Sequence, residues 1–122
     1  MSHGELPHDH GKKTAEVFDK MPQDSSFETV ADIFDLLRDK NRLKILWILF
    51  HCEDCVINIS AMMEMSSPAV SHHLKILKTS GLIVSRREGK EVYYKAAETE
   101  QVKMLHDTVE SLMAIICPIN KD

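Results

Sequence analysis

Several common protein classes need features that this 122-residue sequence lacks. No apolar run approaches the roughly 18 residues that a membrane span requires. The opening stretch MSHGELPHDHGKK is polar and has no apolar core of the secretory-signal kind, which predicts a cytoplasmic protein without membrane association. There are three cysteines, an odd count, which argues against a disulfide framework and for reduced thiols. A glycine-rich phosphate loop and a G-x-S-x-G elbow are both missing, and no cysteine has the context of a nucleophile with an oriented base. An enzyme therefore has little to stand on. Internal repeats and low-complexity segments are missing too, and the length suits one domain with a single core.

What is present is ordinary in bulk and uneven in detail. The composition, 43% hydrophobic and 28% charged, is that of a globular domain, and the net charge is −4. Yet between Ser66 and Lys95 six Lys and Arg residues face two Glu residues. That segment carries +4 and leaves −8 for the remainder. One basic segment on an acidic protein is the electrostatic footprint of a nucleic-acid binder.

Along the chain, residues 1–13 form a polar tail containing His3, His8 and His10, and residues 14–122 form the single folded domain. A short helix is predicted over Thr14–Lys20. The next starts at Ser25, with Glu28 in capping-box spacing, and carries Phe27, Val30, Ile33, Phe34 and Leu37 at helical period. Asp39 caps KNRLKILWILFH, whose Leu43, Ile45, Leu46, Leu49 and Phe50 make it apolar nearly all round, as a central core helix is. A short helix NISAMMEM follows, its methionines adaptable core packing. After a break at Ser66 comes the helix PAVSHHLKILKTS, with Ser67 as its cap and Pro68 at its first position. Gly81 ends it. LIVSRREGKEVYYKA then reads as a hairpin with strands near 82–87 and 91–96, and a last helix runs from about Glu98 to Cys117.

Two short helices across a tight break, followed by a basic hairpin, make a mainly helical winged helix–turn–helix. Its expected order is α-α-α-α-β-β-α. In its second helix Val70, Leu74 and Leu77 share one face and point to the core, which leaves Pro68, Ser71, His72, Lys75 and Lys78 for a partner. Small polar groups at the start of such a helix suit base edges, the expected role of Ser67, Ser71 and His72. Lys75, Lys78 and the hairpin's Arg86, Arg87 and Lys90 suit phosphates of double-stranded DNA. His73 is expected to pack near the helix–helix junction.

These residues carry a specific resemblance. SSPAVSHHLKILKTSGLIVSRREGKEVYY closely resembles the core of the ArsR/SmtB family of metal-responsive bacterial repressors, and DIFDLLRDKNRLKILWILF resembles the helix before it. The resemblance runs from about Phe27 to Lys95. It implies a winged helix–turn–helix that dimerises through its first and last helices. It also implies a homodimer that binds a palindromic operator as a repressor and lets go when an inducer binds. The last helix supports a homodimer independently. Val102, Leu105, Val109, Leu112 and Ile116 recur in alternating three- and four-residue steps, a narrow seam suited to a partner helix.

The same resemblance frames the inducer. Metal-sensing members carry E-L-C-V-C-D-L where this chain has Glu53-Asp54-Cys55-Val56-Ile57-Asn58-Ile59. Cys55 keeps the first motif thiol and Ile57 replaces the second, while Cys52 adds a thiol three residues before Cys55. Two thiols at that spacing can share a metal ion. Some relatives complete the site from the other subunit's tail, which points to His3, His8 and His10, or with a late thiol, which points to Cys117. Such donors favour Zn²⁺, Cd²⁺ or Pb²⁺ over hard cations. The family's other site, on the last helix, is broken here, with Thr99 and Gln101 in place of its first pair. His106 and Glu110 are expected to be a solvated polar pair. Two alternatives stay open. One is the same fold sensing oxidants or sulfur species through its thiols; the other is a winged-helix protein-interaction module without DNA binding.

Overall fold

Asp39 begins the folded frame with a cap: its carboxylate accepts the backbone N–H groups of Asn41 at 2.9 Å and Arg42 at 3.1 Å. The computed structural model describes residues 6–117, which form two units that divide between Asp35 and Leu36. In chain order the elements are α1 (Lys12–Asp19), α2 (Asp24–Leu37), α3 (Lys40–His51), β1 (Asp54–Cys55), α4 (Val56–Met63), α5 (Ser67–Thr79), β2 (Ile83–Glu88), β3 (Glu91–Ala96) and α6 (Glu100–Ile116). No described helix is long and apolar enough to cross a membrane.

In the first unit, α1 begins at Lys12, inside the stretch expected to be tail. The second helix starts at Asp24, one residue before the expected cap, so Ser25 and Glu28 lie inside it and form no capping box. An acidic residue in the first turn favours that start, because the N-terminal end of a helix attracts negative charge. Neither helix buries a residue, and Val17, Phe27, Val30 and Phe34 are exposed.

The core belongs to the second unit. It collects Ile45, Leu46 and Leu49 from α3, Ile59 and Met63 from α4, and Val70, Leu74 and Leu77 from α5. Leu82, Ile83, Ala97 and Val102 close it from the hairpin side. Fully burying one such aliphatic side chain contributes about 1.5–3 kcal/mol, so this cluster dominates the stability of the frame. Of the methionines in AMMEM, Met63 is buried and Met62 is exposed. The helix–turn–helix break is closed by Glu64, which adopts a left-handed conformation (φ 56°, ψ 45°), and by the Met65 N–H bonded to the Ser60 carbonyl.

The hairpin β2–β3 pairs Ile83 with Ala96 through Glu88 with Glu91, and its two-residue turn puts Gly89 at φ 65°. A side-chain-bearing residue adopts that conformation reluctantly, so glycine is the natural occupant. One strand was not expected. Asp54 and Cys55 form β1, which pairs antiparallel with Tyr94 and Tyr93 and gives the order β1-β3-β2. Five helices and this short strand therefore precede the hairpin.

Candidate nucleic-acid interface and metal-ligating residues

The N-terminus of α5 is built by serines and a proline. Its cap is Ser66, whose hydroxyl accepts the Ala69 N–H at 3.3 Å, not Ser67 as expected. Ser67 is the first helical residue, and its hydroxyl lies 3.2 Å from that of buried Ser60, joining α4 to α5. With Val70, Leu74 and Leu77 turned inward, Ser67, Pro68, Ser71, His72, Lys75 and Lys78 are all exposed. His73 is half-buried, with its Nδ1 enclosed and unpartnered among the described residues. It lies close enough to Asp39 to influence that carboxyl, which agrees with a packed position at a helix junction.

On the wing, the basic residues separate into two kinds. Arg87 and Lys90 are exposed and have no ion-pair partner among the described residues. Arg86, expected to contact phosphate, is committed elsewhere. Its Nε and Nη2 donate to the two carboxylate oxygens of Glu53 at 2.9 and 3.0 Å, and Nη1 donates to Glu88. The guanidinium also lies 4.9 Å over the Tyr93 ring. These bonds, that to Glu53 foremost, push the Arg86 pKa up, and the same bond holds the Glu53 carboxyl below its ordinary value. No sequence signal marks this pair, because its members lie far apart in the chain and only β1 brings them together.

The thiols are all free. Cys52 follows α3, exposed, with its Sγ–H directed at the Ile48 carbonyl at 3.5 Å. Desolvation, aided by the charge of Asp54, pushes its thiol pKa up. Cys55 is half-buried at the start of α4, and its N–H donates to Asp54 Oδ1 at 2.8 Å. Cys117 ends α6 and is exposed. Two free thiols, one before β1 and one within it, are of the donor type that suits a soft or borderline ion, but neither belongs to a three-donor group among the described residues. In the separate first unit, the rings of His8 and His10 stack at 5.8 Å, whereas His3 lies outside the described residues.

The expected dimer seam divides. Val102 is a core residue at 2% exposure, Val109 is buried and Leu105 packs half-buried against the core. Val102 is thus committed to its own chain. Leu112 and Ile116 are exposed, 53% and 74%, as are their neighbours Met113 and Ile115. His106 and Glu110, expected as a lone polar pair, are joined by His51 from the end of α3, which spacing within one helix had no means of revealing.

An exposed polar helix set on a core of three helices, with a two-stranded wing beside it, defines the winged helix–turn–helix class. The chain belongs to the ArsR family: residues 39–85 match the family described as bacterial regulatory protein, arsR family. It is 34% identical to an HTH-type transcriptional regulator of Methanocaldococcus jannaschii over 70% of this chain and 97% of that protein. A cadmium resistance transcriptional regulatory protein CadC homolog of Staphylococcus aureus is 42% identical over 62% of this chain. That match covers 63% of the staphylococcal protein, and this chain spans less than two thirds of several such curated relatives. In structure, the chain is similar to the homodimeric winged helix–turn–helix DNA-binding domain of a possible ArsR-family regulator from Mycobacterium bovis. The TM-score is 0.67 at 29% identity, covering 81% of this chain and 91% of that one.

Proposed function

We propose that the chain is a cytoplasmic, DNA-binding transcriptional repressor. It acts as a homodimer on a palindromic operator and is released by a soft or borderline metal ion, Zn²⁺, Cd²⁺ or Pb²⁺. The observation that carries this reading is the exposed face of α5, with Ser71 and His72 near its start and Lys75 and Lys78 further along. Ser71 and His72 have the donors and acceptors to read base edges. Lys75, Lys78, Arg87 and Lys90 meet phosphates on either side. Two copies, joined through the exposed end of α6, present two such helices to successive major grooves. The M. bovis domain, which is homodimeric and DNA-binding, supports this.

For the inducer, Cys52 and Cys55 are the residues that would hold the ion, with His3, His8 and His10 from the second copy's tail and Cys117 as further donors. The name of the staphylococcal relative supports a metal role. A bound soft cation supplies positive charge that displaces thiol protons, and it must also overcome the raised pKa of Cys52. Oxidant sensing needs a thiolate already formed, and Cys52 is the less ready for it.

The test is binding of the reduced protein to a labelled operator duplex across a salt series, with and without Cd²⁺. Affinity should fall steeply with salt and be lost on adding metal. Indifference to metal together with release on mild oxidation would move the reading to thiol redox sensing. Failure to bind any duplex would leave a protein-interaction module.

A further inference from the structure

His51, His106 and Glu110 bring two imidazole nitrogens and one carboxylate oxygen to within 4.8 Å of one another. Glu110 Oε2 is the hub, lying 2.6 Å from His51 Nε2 and 3.1 Å from His106 Nε2. Both rings are held. His106 stacks on Phe50, with centroids at 4.4 Å and an interplanar angle of 13°. His51 tilts against Trp47 at 4.4 Å and meets the His106 ring edge-on at 5.1 Å. Aromatic packing therefore does for these imidazoles what supporting hydrogen bonds usually do at metal sites, fixing the ring planes before any ion arrives.

We infer that this trio is a second metal site, selective for a borderline divalent cation of the zinc class and made wholly within one chain. Zinc binds imidazole nitrogen and carboxylate oxygen at about 2.0–2.2 Å, which sets neighbouring donors of a tetrahedron roughly 3.3–3.6 Å apart. The His106–Glu110 edge is close to that value, and the His51–Glu110 edge must open by somewhat under 1 Å. In the free protein each of those edges is a hydrogen-bond contact between imidazole and carboxylate; when an ion takes both Nε2 atoms, each neutral ring carries its proton on Nδ1. Three protein donors leave a fourth position for water. It is reachable from solvent, because His51 and Glu110 are 42% and 38% exposed, and a cavity of about 320 Å³ adjoins His51 and His106. Cys52 lines that cavity but turns its thiol to the Ile48 carbonyl, so the trio offers only nitrogen and oxygen. It should prefer Zn²⁺, Co²⁺ or Ni²⁺, while thiols select softer ions. The site joins the end of α3 to α6 and owes nothing to the cysteines, so it stands or falls independently of the inducer proposed above.

The experiment uses the full chain with Cys52, Cys55 and Cys117 all replaced by Ser, titrated with Co²⁺ and then competed with Zn²⁺. One Co²⁺ per chain should bind, with visible d–d bands and no thiolate charge-transfer absorption. Adding His51→Gln or His106→Gln should lower affinity by at least about tenfold, the range seen when even supporting residues of a metal site are lost. Circular dichroism and melting temperature report whether each variant folds. For the thiol-free chain itself, imidazole nitrogen NMR should show Zn²⁺ moving the Nε2 resonances of both His51 and His106. No Co²⁺ binding at micromolar concentration would overturn the inference. So would binding that survives both histidine replacements but vanishes on deleting residues 1–10.

Discussion

Glu53 and Arg86 lie 33 positions apart in sequence and are joined by two hydrogen bonds of 2.9 and 3.0 Å, tying the turn after α3 to the wing. An arginine so held has little left for phosphate. Arg87→Ala or Lys90→Ala should each lower the slope of log affinity against log salt by about 1.8, because the homodimer carries each residue twice and one phosphate contact contributes about 0.9. Arg86→Ala should leave that slope nearly unchanged. The measurement is operator affinity from about 50 to 200 mM salt; an Arg86→Ala slope that matched Arg87→Ala would return Arg86 to the DNA surface.

Base readout is assigned to the start of α5. Ser71→Ala and His72→Ala should each weaken specific binding by about 1–3 kcal/mol and relax preference at one base pair of the half-site. Binding to a panel of single-base operator variants checks this. Altered preference confined to wing mutants would mean that readout belongs to the wing.

The oligomer should depend on the exposed end of α6. Leu112→Lys with Ile116→Lys should give a folded monomer with sharply reduced operator affinity, read by analytical ultracentrifugation. Val102→Ala, in contrast, should lower thermal stability and leave the oligomeric state alone, because Val102 is only 2% exposed within its own chain.

For the inducer, Cys55→Ser should leave the metal-free protein on DNA and make it insensitive to Cd²⁺, and deletion of residues 1–10 should blunt the response. The coupling between metal and operator is reciprocal and typically about 1–3 kcal/mol, so operator DNA should weaken Cd²⁺ binding by the same factor. Titrations in both orders provide the comparison.

Asp39 gives a pH dependence whose sign is fixed by its bonds. The Arg42 N–H, aided by the Asn41 N–H and by the charges of His73 and Arg42, outweighs desolvation and holds its carboxyl below the ordinary value near 3.8. The cap therefore stabilises fully above that value and fails as pH falls through the lower, folded one. Asp39→Ala should cost about 1 kcal/mol at neutral pH. Asp39→Asn keeps an acceptor and should lose much less, and both variants should flatten the acid limb of the melting curve.

The parts legible in the sequence were those written in local periodicity. Val70, Leu74 and Leu77 mark the buried face of α5 by spacing alone, Asp39 announces its cap, and Gly89 between two strand-like runs announces the hairpin. What was not legible depends on distant segments meeting. The strand β1 is two residues long and exists only because Tyr93 and Tyr94 offer it a partner. His51 joins His106 and Glu110 because α3 and α6 end up adjacent, which no single-helix pattern encodes. The cap of α5 erred by one residue for a related reason: consecutive serines at 66–67 offer equivalent hydroxyls, and the surrounding backbone chooses Ser66.

The pairing of Asp54 with Tyr94 and of Cys55 with Tyr93 has a consequence for local opening. β3 is the middle strand, so the wing cannot peel away without also releasing the segment that carries Cys55. In amide hydrogen exchange, residues 54–55 and 83–96 should behave as one cooperative unit with a shared opening free energy. An event that orders the turn at Cys55 would then be felt as slower exchange at the far tip of the wing.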